Sequence, residues 1–215
     1  MKTSVVILAA GKGTRMHSDL PKVLHPILGQ PLIRYPVAVA QAITQSPSVL
    51  VVGHAAEQVR AAVGEAAEYV LQKPQLGTGH AVQQAETLLR GKSDYVLILY
   101  GDMPLVTAET VQELLEVQQN HTGPISVLTL IADDPRGFGR IVRGEDGSVR
   151  AIVEEAQATP EELAIKELNT GVFCFSADWL WDTLKRVELS PKGEYYLTDL
   201  VEIAVKEGHS VQAIP

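Results

Sequence analysis

Four apolar runs of strand length recur along the first hundred residues: TSVVIL at 3–8, SVLVVG at 48–53, EYVL at 68–71 and DYVLILY at 94–100. Segments of helical pattern, 32–45, 55–63 and 77–89, separate them, and another at 107–119 follows, with Thr107 as its N-cap. This alternation constrains the fold more than any other feature. A strand apolar along its whole length must be covered on both faces, and a helix between strands returns the chain to the same edge of the sheet. The pattern predicts a mainly parallel sheet flanked by helices. In such sheets ligands bind beyond the carboxyl ends of the strands. The residues that matter are then 9–13, Gly53, Gln72 and 100–102.

After residue 124 the rhythm changes. Residues 125–131, 140–143 and 149–153 read as short strands, the last two joined through GEDG as a hairpin. Residues 168–175 read as a further strand, 177–186 and 196–207 as helices, and 211–214 as the start of a last strand. The second half therefore completes the sheet and adds a β-rich flap facing the ligand. No repeat or linker divides the chain, so 1–215 reads as a single domain with two lobes. The closing VQAIP stops within an element and reads as a fragment boundary.

Composition excludes several classes. No apolar run approaches the roughly 20 residues of a membrane span, and the N-terminus lacks the basic-then-apolar pattern of a secretory signal. The one cysteine, Cys174, lies within GVFCF and reads as a buried strand thiol in a cytoplasmic protein. A net charge of −8 argues against a nucleic-acid partner. Yet residues 1–34 carry Lys2, Lys12, Arg15, Lys22 and Arg34 against Asp19 alone, a local +4 that leaves −12 for the remainder. A small basic island in an acidic chain suits a compact polyanion such as a nucleoside triphosphate.

That island is the loop LAAGKGTRM and the LPK that follows. Gly11 and Gly13 let backbone N–H groups approach an anion, Arg15 can grip phosphate oxygens bidentately, and Lys22 supplies a point charge. The loop ends without the Lys-Ser/Thr of a P-loop and lacks the dinucleotide GxGxxG. Asp102, just past an apolar strand in LYGDMPLV, suits a Mg²⁺ ion bound through one carboxylate and substrate phosphates; taken alone it is equally a turn residue. The six histidines are scattered without metal-ligand spacing; His80 is the one beside a candidate residue.

LAAGKGTRM, LPKVLHPILGQPLI, LQKPQLGTGHAV, LYGDMPLV, GFGRIV, IVEE, ELNTGVF and GEYYLTDLV together resemble, in order and spacing, the sugar-phosphate nucleotidyltransferases. Within them the likeness is to the N-acetylglucosamine-1-phosphate uridylyltransferases. The resemblance implies an α/β, Rossmann-like nucleotidyltransferase fold with a small β-rich sugar-binding lobe. It implies an enzyme that joins UTP and N-acetylglucosamine 1-phosphate to give UDP-N-acetylglucosamine and pyrophosphate for cell-wall precursors, with Mg²⁺ as cofactor. Carried over residue by residue, Leu8, Ala10 and Gly11 line the uridine. Gln72, Gly77 and Thr78 read the uracil edge. Arg15 holds the leaving pyrophosphate and Lys22 the α-phosphate. Asp102 binds the metal across the crevice from the loop, with Tyr100 and Gly101 before it among the substrate contacts. Gly139, Glu154 and Asn169 hold the sugar, and Thr198 with Tyr196 reaches its phosphate.

The same resemblance implies a second metal-binding asparagine beyond Pro215. It also implies an acetyl-transferring β-helical domain, absent from these residues, through which full-length relatives form homotrimers. One departure stands out: where the family carries a Lys-Asp pair after IVEE, this chain has Ala156 and Gln157, which weakens a contact beside the sugar residues. A related enzyme using another nucleotide or sugar, and a non-catalytic nucleotide-sugar binding module, stay open as alternatives. Retention of Arg15, Lys22 and Asp102 together speaks against the second.

Overall fold

The computed structural model describes residues 1–13, 16–135 and 137–215. The expectation for Arg15 lies outside the described residues. The chain runs β1 (Thr3–Ala9), β2 (Pro26–Ile27), β3 (Gln30–Pro31), α1 (Arg34–Ile43), β4 (Ser48–Val52), α2 (Ala56–Val63), β5 (Ala67–Leu71), α3 (Gly77–Gln84), α4 (Glu86–Leu89), β6 (Tyr95–Tyr100), α5 (Ala108–Gln119) and β7 (Ile125–Ile131). It continues with β8 (Gly139–Arg143), β9 (Val149–Val153), α6 (Pro160–Leu163), β10 (Glu167–Ser176), α7 (Ala177–Thr183), α8 (Asp199–Lys206) and β11 (Val211–Ile214).

The main sheet has the order β11-β7-β10-β6-β1-β4-β5. β1 lies inside it, parallel to both β4 and β6, with β5 parallel to β4. Both faces of β1 are buried. Val6 and Leu8 join a core cluster with Trp181 and Leu200, while Val5 and Ile7 join another with Ile33 and Leu114. This double burial is why TSVVIL is apolar throughout rather than alternating.

β10 breaks the parallel rule, and the break makes the cleft. It runs antiparallel to β7 along most of its length but pairs with β6 only over 173–176. Its first residues pair with β8 instead, Leu168 with Arg140 and Asn169 with Gly139. The sheet therefore forks where β6 ends. The β8–β9 hairpin forms one prong, and the carboxyl end of β6 the other.

Two elements went unread in the sequence. The β2–β3 hairpin turns on Leu28 and Gly29, both at positive φ. α6 opens with a capping box: Glu162 N–H donates to Thr159 Oγ1, and Thr159 N–H to Glu162 Oε2 at 2.8 Å. The helix expected over 196–207 begins only at Asp199. Residues before it are drawn out because the Tyr195 backbone pairs with the 76–79 loop, donating to Leu76 O and accepting from Gly79 N–H, each at 2.8 Å. The 77–89 helix is divided at Ala85 into α3 and α4.

Candidate active site

A cleft of about 530 Å³ opens in the fork. Lys22, Tyr100, Asp102, Gly139, Glu154 and Asn169, all singled out in the sequence, line it, with Phe138 and Gly171 beside them. A larger groove of about 850 Å³ lies at the opposite, amino ends of β1 and β4 and holds none of the candidate residues.

Lys22 reaches the cleft because Gly13 has no side chain. A Cβ there would stand 2.6 Å from Lys22 Cβ, and Gly13 has φ +64°, so the glycine loop closes directly over the short 3₁₀ turn of 22–24. The Lys22 ammonium then forms an ion pair with the Asp102 carboxylate. The expectation that loop and carboxylate face each other across the crevice is thereby corrected: the two charges touch.

On the other prong the β10 register slips between Asn169 and Phe173. Gly171 makes this bulge possible, with φ +84°; a Cβ on it would lie 2.5 Å from the Tyr100 ring. Gly171 N–H donates to Asn169 Oδ1 at 2.9 Å, which fixes the amide and leaves Asn169 Nδ2 without a partner among the described residues. ELNTG is thus a bulge motif that aims one amide donor into the cleft. Glu154, at the end of β9, accepts from the Thr198 hydroxyl at 3.0 Å through Oε1. Burial raises its carboxyl above the usual range, the Thr198 bond opposes that, and the Glu194 charge adds to it. Tyr100 is pushed strongly upward by burial, then by Glu154 and Asp102, against a hydrogen bond with Thr78. Its phenol is neutral at physiological pH.

The nucleotide-side candidates are more deeply engaged in structure than the sequence suggested. The Leu8 carbonyl accepts from Gly101 N–H, and the Ala10 carbonyl accepts from His54 N–H and from Gln75 Nε2. A Cβ on Gly11 would meet nothing within 4 Å. Gln72 donates to the Gly77 carbonyl at 2.8 Å and lies 3.2 Å from His80 Nδ1, so its carbonyl oxygen is the atom left for a ligand. Thr78 Oγ1 accepts from Leu197 N–H at 3.0 Å, tying this loop to the residue before Thr198. Tyr196 is buried, and its hydroxyl meets Ser190 and Glu194 rather than the cleft. It is not among the residues that line the cleft.

Sequence reading missed Gln75, Gly171, Arg140 and Glu155. The first three lie inside motifs already singled out, LQKPQLGTG, ELNTG and GFGRI, while Glu155 adjoins Glu154. A metal could be held by Asp102 alone among the cleft carboxylates near Lys22. Among the described residues no group of three or more His, Cys, Asp or Glu side chains is poised to hold one. A single carboxylate that already attracts an ammonium fits a divalent ion completed by substrate phosphates, and does not fit an all-protein cage.

Comparisons with known proteins bear on the fold and the family. Over 98% of its length the chain superposes on 85% of a Bacillus anthracis crystal structure described as a glucose-1-phosphate thymidylyltransferase with bound sucrose, with TM-score 0.78 and 21% identity. That likeness concerns the fold. The chain is 50% identical over 214 residues to a protein of Exiguobacterium sp. strain AT1b named bifunctional protein GlmU, covering 99% of this chain and 48% of that one. Proteins of the same name from Bacillus licheniformis and Enterococcus faecalis are 45% and 46% identical, covering 99% and 97% of this chain and 47% and 46% of theirs. The chain spans about half the length of the curated relatives it matches. Residues 5–138, more than half of the chain, match the MobA-like NTP transferase domain, and the chain belongs to that family.

Proposed function

We propose that this chain transfers a uridylyl group from UTP to N-acetylglucosamine 1-phosphate, releasing pyrophosphate, and that residues 1–215 act as one nucleotidyltransferase unit in the cytoplasm. The observation that carries this is the forked cleft, with a cation and a carboxylate on one wall and Glu154 and Asn169 on the other. It can take a phosphate chain and a polar sugar side by side. Among the described residues no helix is long and apolar enough to cross a membrane.

A sugar-phosphate oxygen attacks the α-phosphorus in line, and the bond to the pyrophosphate oxygen breaks. The nucleophile is already an anion, so no general base is required, and the task is to bring anions together and stabilise the leaving charge. Lys22 holds the α-phosphate. Arg15 grips the departing pyrophosphate. Gln72, Gly77, Thr78 and the backbone at Leu8, Ala10 and Gly11 hold the uridine. The free Asn169 Nδ2 donates to the acetamido carbonyl, and Glu154 accepts a sugar hydroxyl beside Gly139. A divalent metal, Mg²⁺ in this reading, would be held by Asp102 and would supply positive charge to neutralise the phosphates.

The test measures pyrophosphate release from UTP, Mg²⁺ and N-acetylglucosamine 1-phosphate, using this chain and a version extended by some tens of residues. Release by either supports the proposal, and silence from both refutes it. Release with dTTP or glucose 1-phosphate, but not with this pair, favours a related transferase, as the solved structural neighbour's name would suggest.

A further inference from the structure

Among the described residues, Arg140 is the only charged side chain of the largest fully buried ones, at 1% exposure. It follows Gly139 directly, and its guanidinium donates to two acceptors. Nη1 meets the Phe138 carbonyl, and Nη2 meets Glu155 Oε2 at 3.2 Å. The same Glu155 Oε2 accepts from Gly137 N–H at 2.9 Å. A closed ring results: the carboxylate grips the loop at Gly137, the guanidinium grips it at Phe138, and the two grip each other. Arg140 Nε has no partner among the described residues.

Burying a guanidinium costs free energy that a half-exposed carboxylate only partly offsets. The expense is explained by what the ring joins. Gly137, Phe138 and Gly139 form one wall of the cleft, and Glu155 is the neighbour of Glu154 at the end of β9. We propose that Arg140 and Glu155 are positioning residues that hold the Gly139 loop and the Glu154 carboxylate in register around the sugar phosphate. The absence of a Lys-Asp pair at Ala156 and Gln157 then matters little, because the contact runs through Glu155. The inference rests on the sugar-phosphate reading of the cleft.

The experiment uses steady-state kinetics with both substrates varied, on wild type, Glu155→Ala, Glu155→Gln and Arg140→Lys. Glu155 is the primary target, because its side chain is 43% exposed and its loss leaves no large void. Glu155→Ala should raise KM for N-acetylglucosamine 1-phosphate about tenfold or more while KM for UTP stays within about twofold, the tenfold equalling about 1.4 kcal/mol of lost binding. Glu155→Gln keeps an acceptor for Gly137 N–H and Arg140 and should recover most of that loss. Arg140→Lys keeps the charge without the fork and should resemble Glu155→Ala. A merely structural role would lower the active fraction and kcat with both KM values unchanged, and that outcome overturns the proposal. Equal rises in both KM values overturn it as well. A wild type with no turnover on this pair fails the functional reading itself, before any variant is compared.

Discussion

Replacing Asp199 by Asn should stabilise the protein at neutral pH, and the gain should vanish in acid. Asp199 opens α8, and among the described residues its carboxylate has no hydrogen-bond or ion-pair partner. Burial, then the nearby charges of Glu154 and Glu202, push its pKa from 3.8 up to about 6. The folded state thus holds the proton more tightly than the unfolded chain. Between pH 4 and 6 the native state binds more protons, so this group makes stability fall as pH rises, and the cost is complete above about pH 6. A shift of about two units corresponds to roughly 3 kcal/mol at 1.36 kcal/mol per unit. Asp199 keeps some contact with solvent, which screens its neighbours, and brings the expectation to about 1–2 kcal/mol. Asparagine matches its shape and cannot ionise. Urea unfolding at pH 4, 5, 6, 7 and 8 gives both curves, and their difference removes every other titration the two proteins share. The difference should be near zero at pH 4 and rise to about 1–2 kcal/mol by pH 7. A difference independent of pH, or one largest at pH 4, would refute the reasoning.

Other substitutions probe the site. Asp102→Ala should abolish pyrophosphate release while the melting temperature stays within a few degrees of wild type; retained turnover would refute the metal assignment. Gly171→Ala should destabilise by about 2–4 kcal/mol, combining about 1–2 for left-handed backbone with crowding of the Tyr100 ring. Chemical denaturation checks this, and a neutral outcome would show the bulge to be plastic. Thr78→Val should cost about 1–2 kcal/mol by orphaning Leu197 N–H, read from the same unfolding curves.

How much of this was legible in the chain differs by element. TSVVIL and DYVLILY announce strands covered on both faces, because continuous apolar character has few other uses at that length. Gly13, Lys22 and Asp102 were legible as candidates, the first two from the basic, glycine-rich island and Asp102 from its place just past an apolar strand. Their mutual contact was not, because the side chain of residue 22 reaches Asp102 only through close packing against Gly13. The helix start at Asp199 escaped because propensity is local, whereas the backbone bonds of Tyr195 run to residues 76 and 79.

The sequence by itself determined the alternation of strand and helix, the basic island and the residue types at the strand ends. Those follow from periodicity and charge, which are properties of neighbours along the chain. The tertiary structure alone decided that β10 leaves β6 for β8, that Gly171 admits the Tyr100 ring, and that Arg140 closes on Glu155. Each depends on atoms far apart in the chain meeting at van der Waals distance. No local pattern encodes that distance, because packing is satisfied by the whole molecule at once.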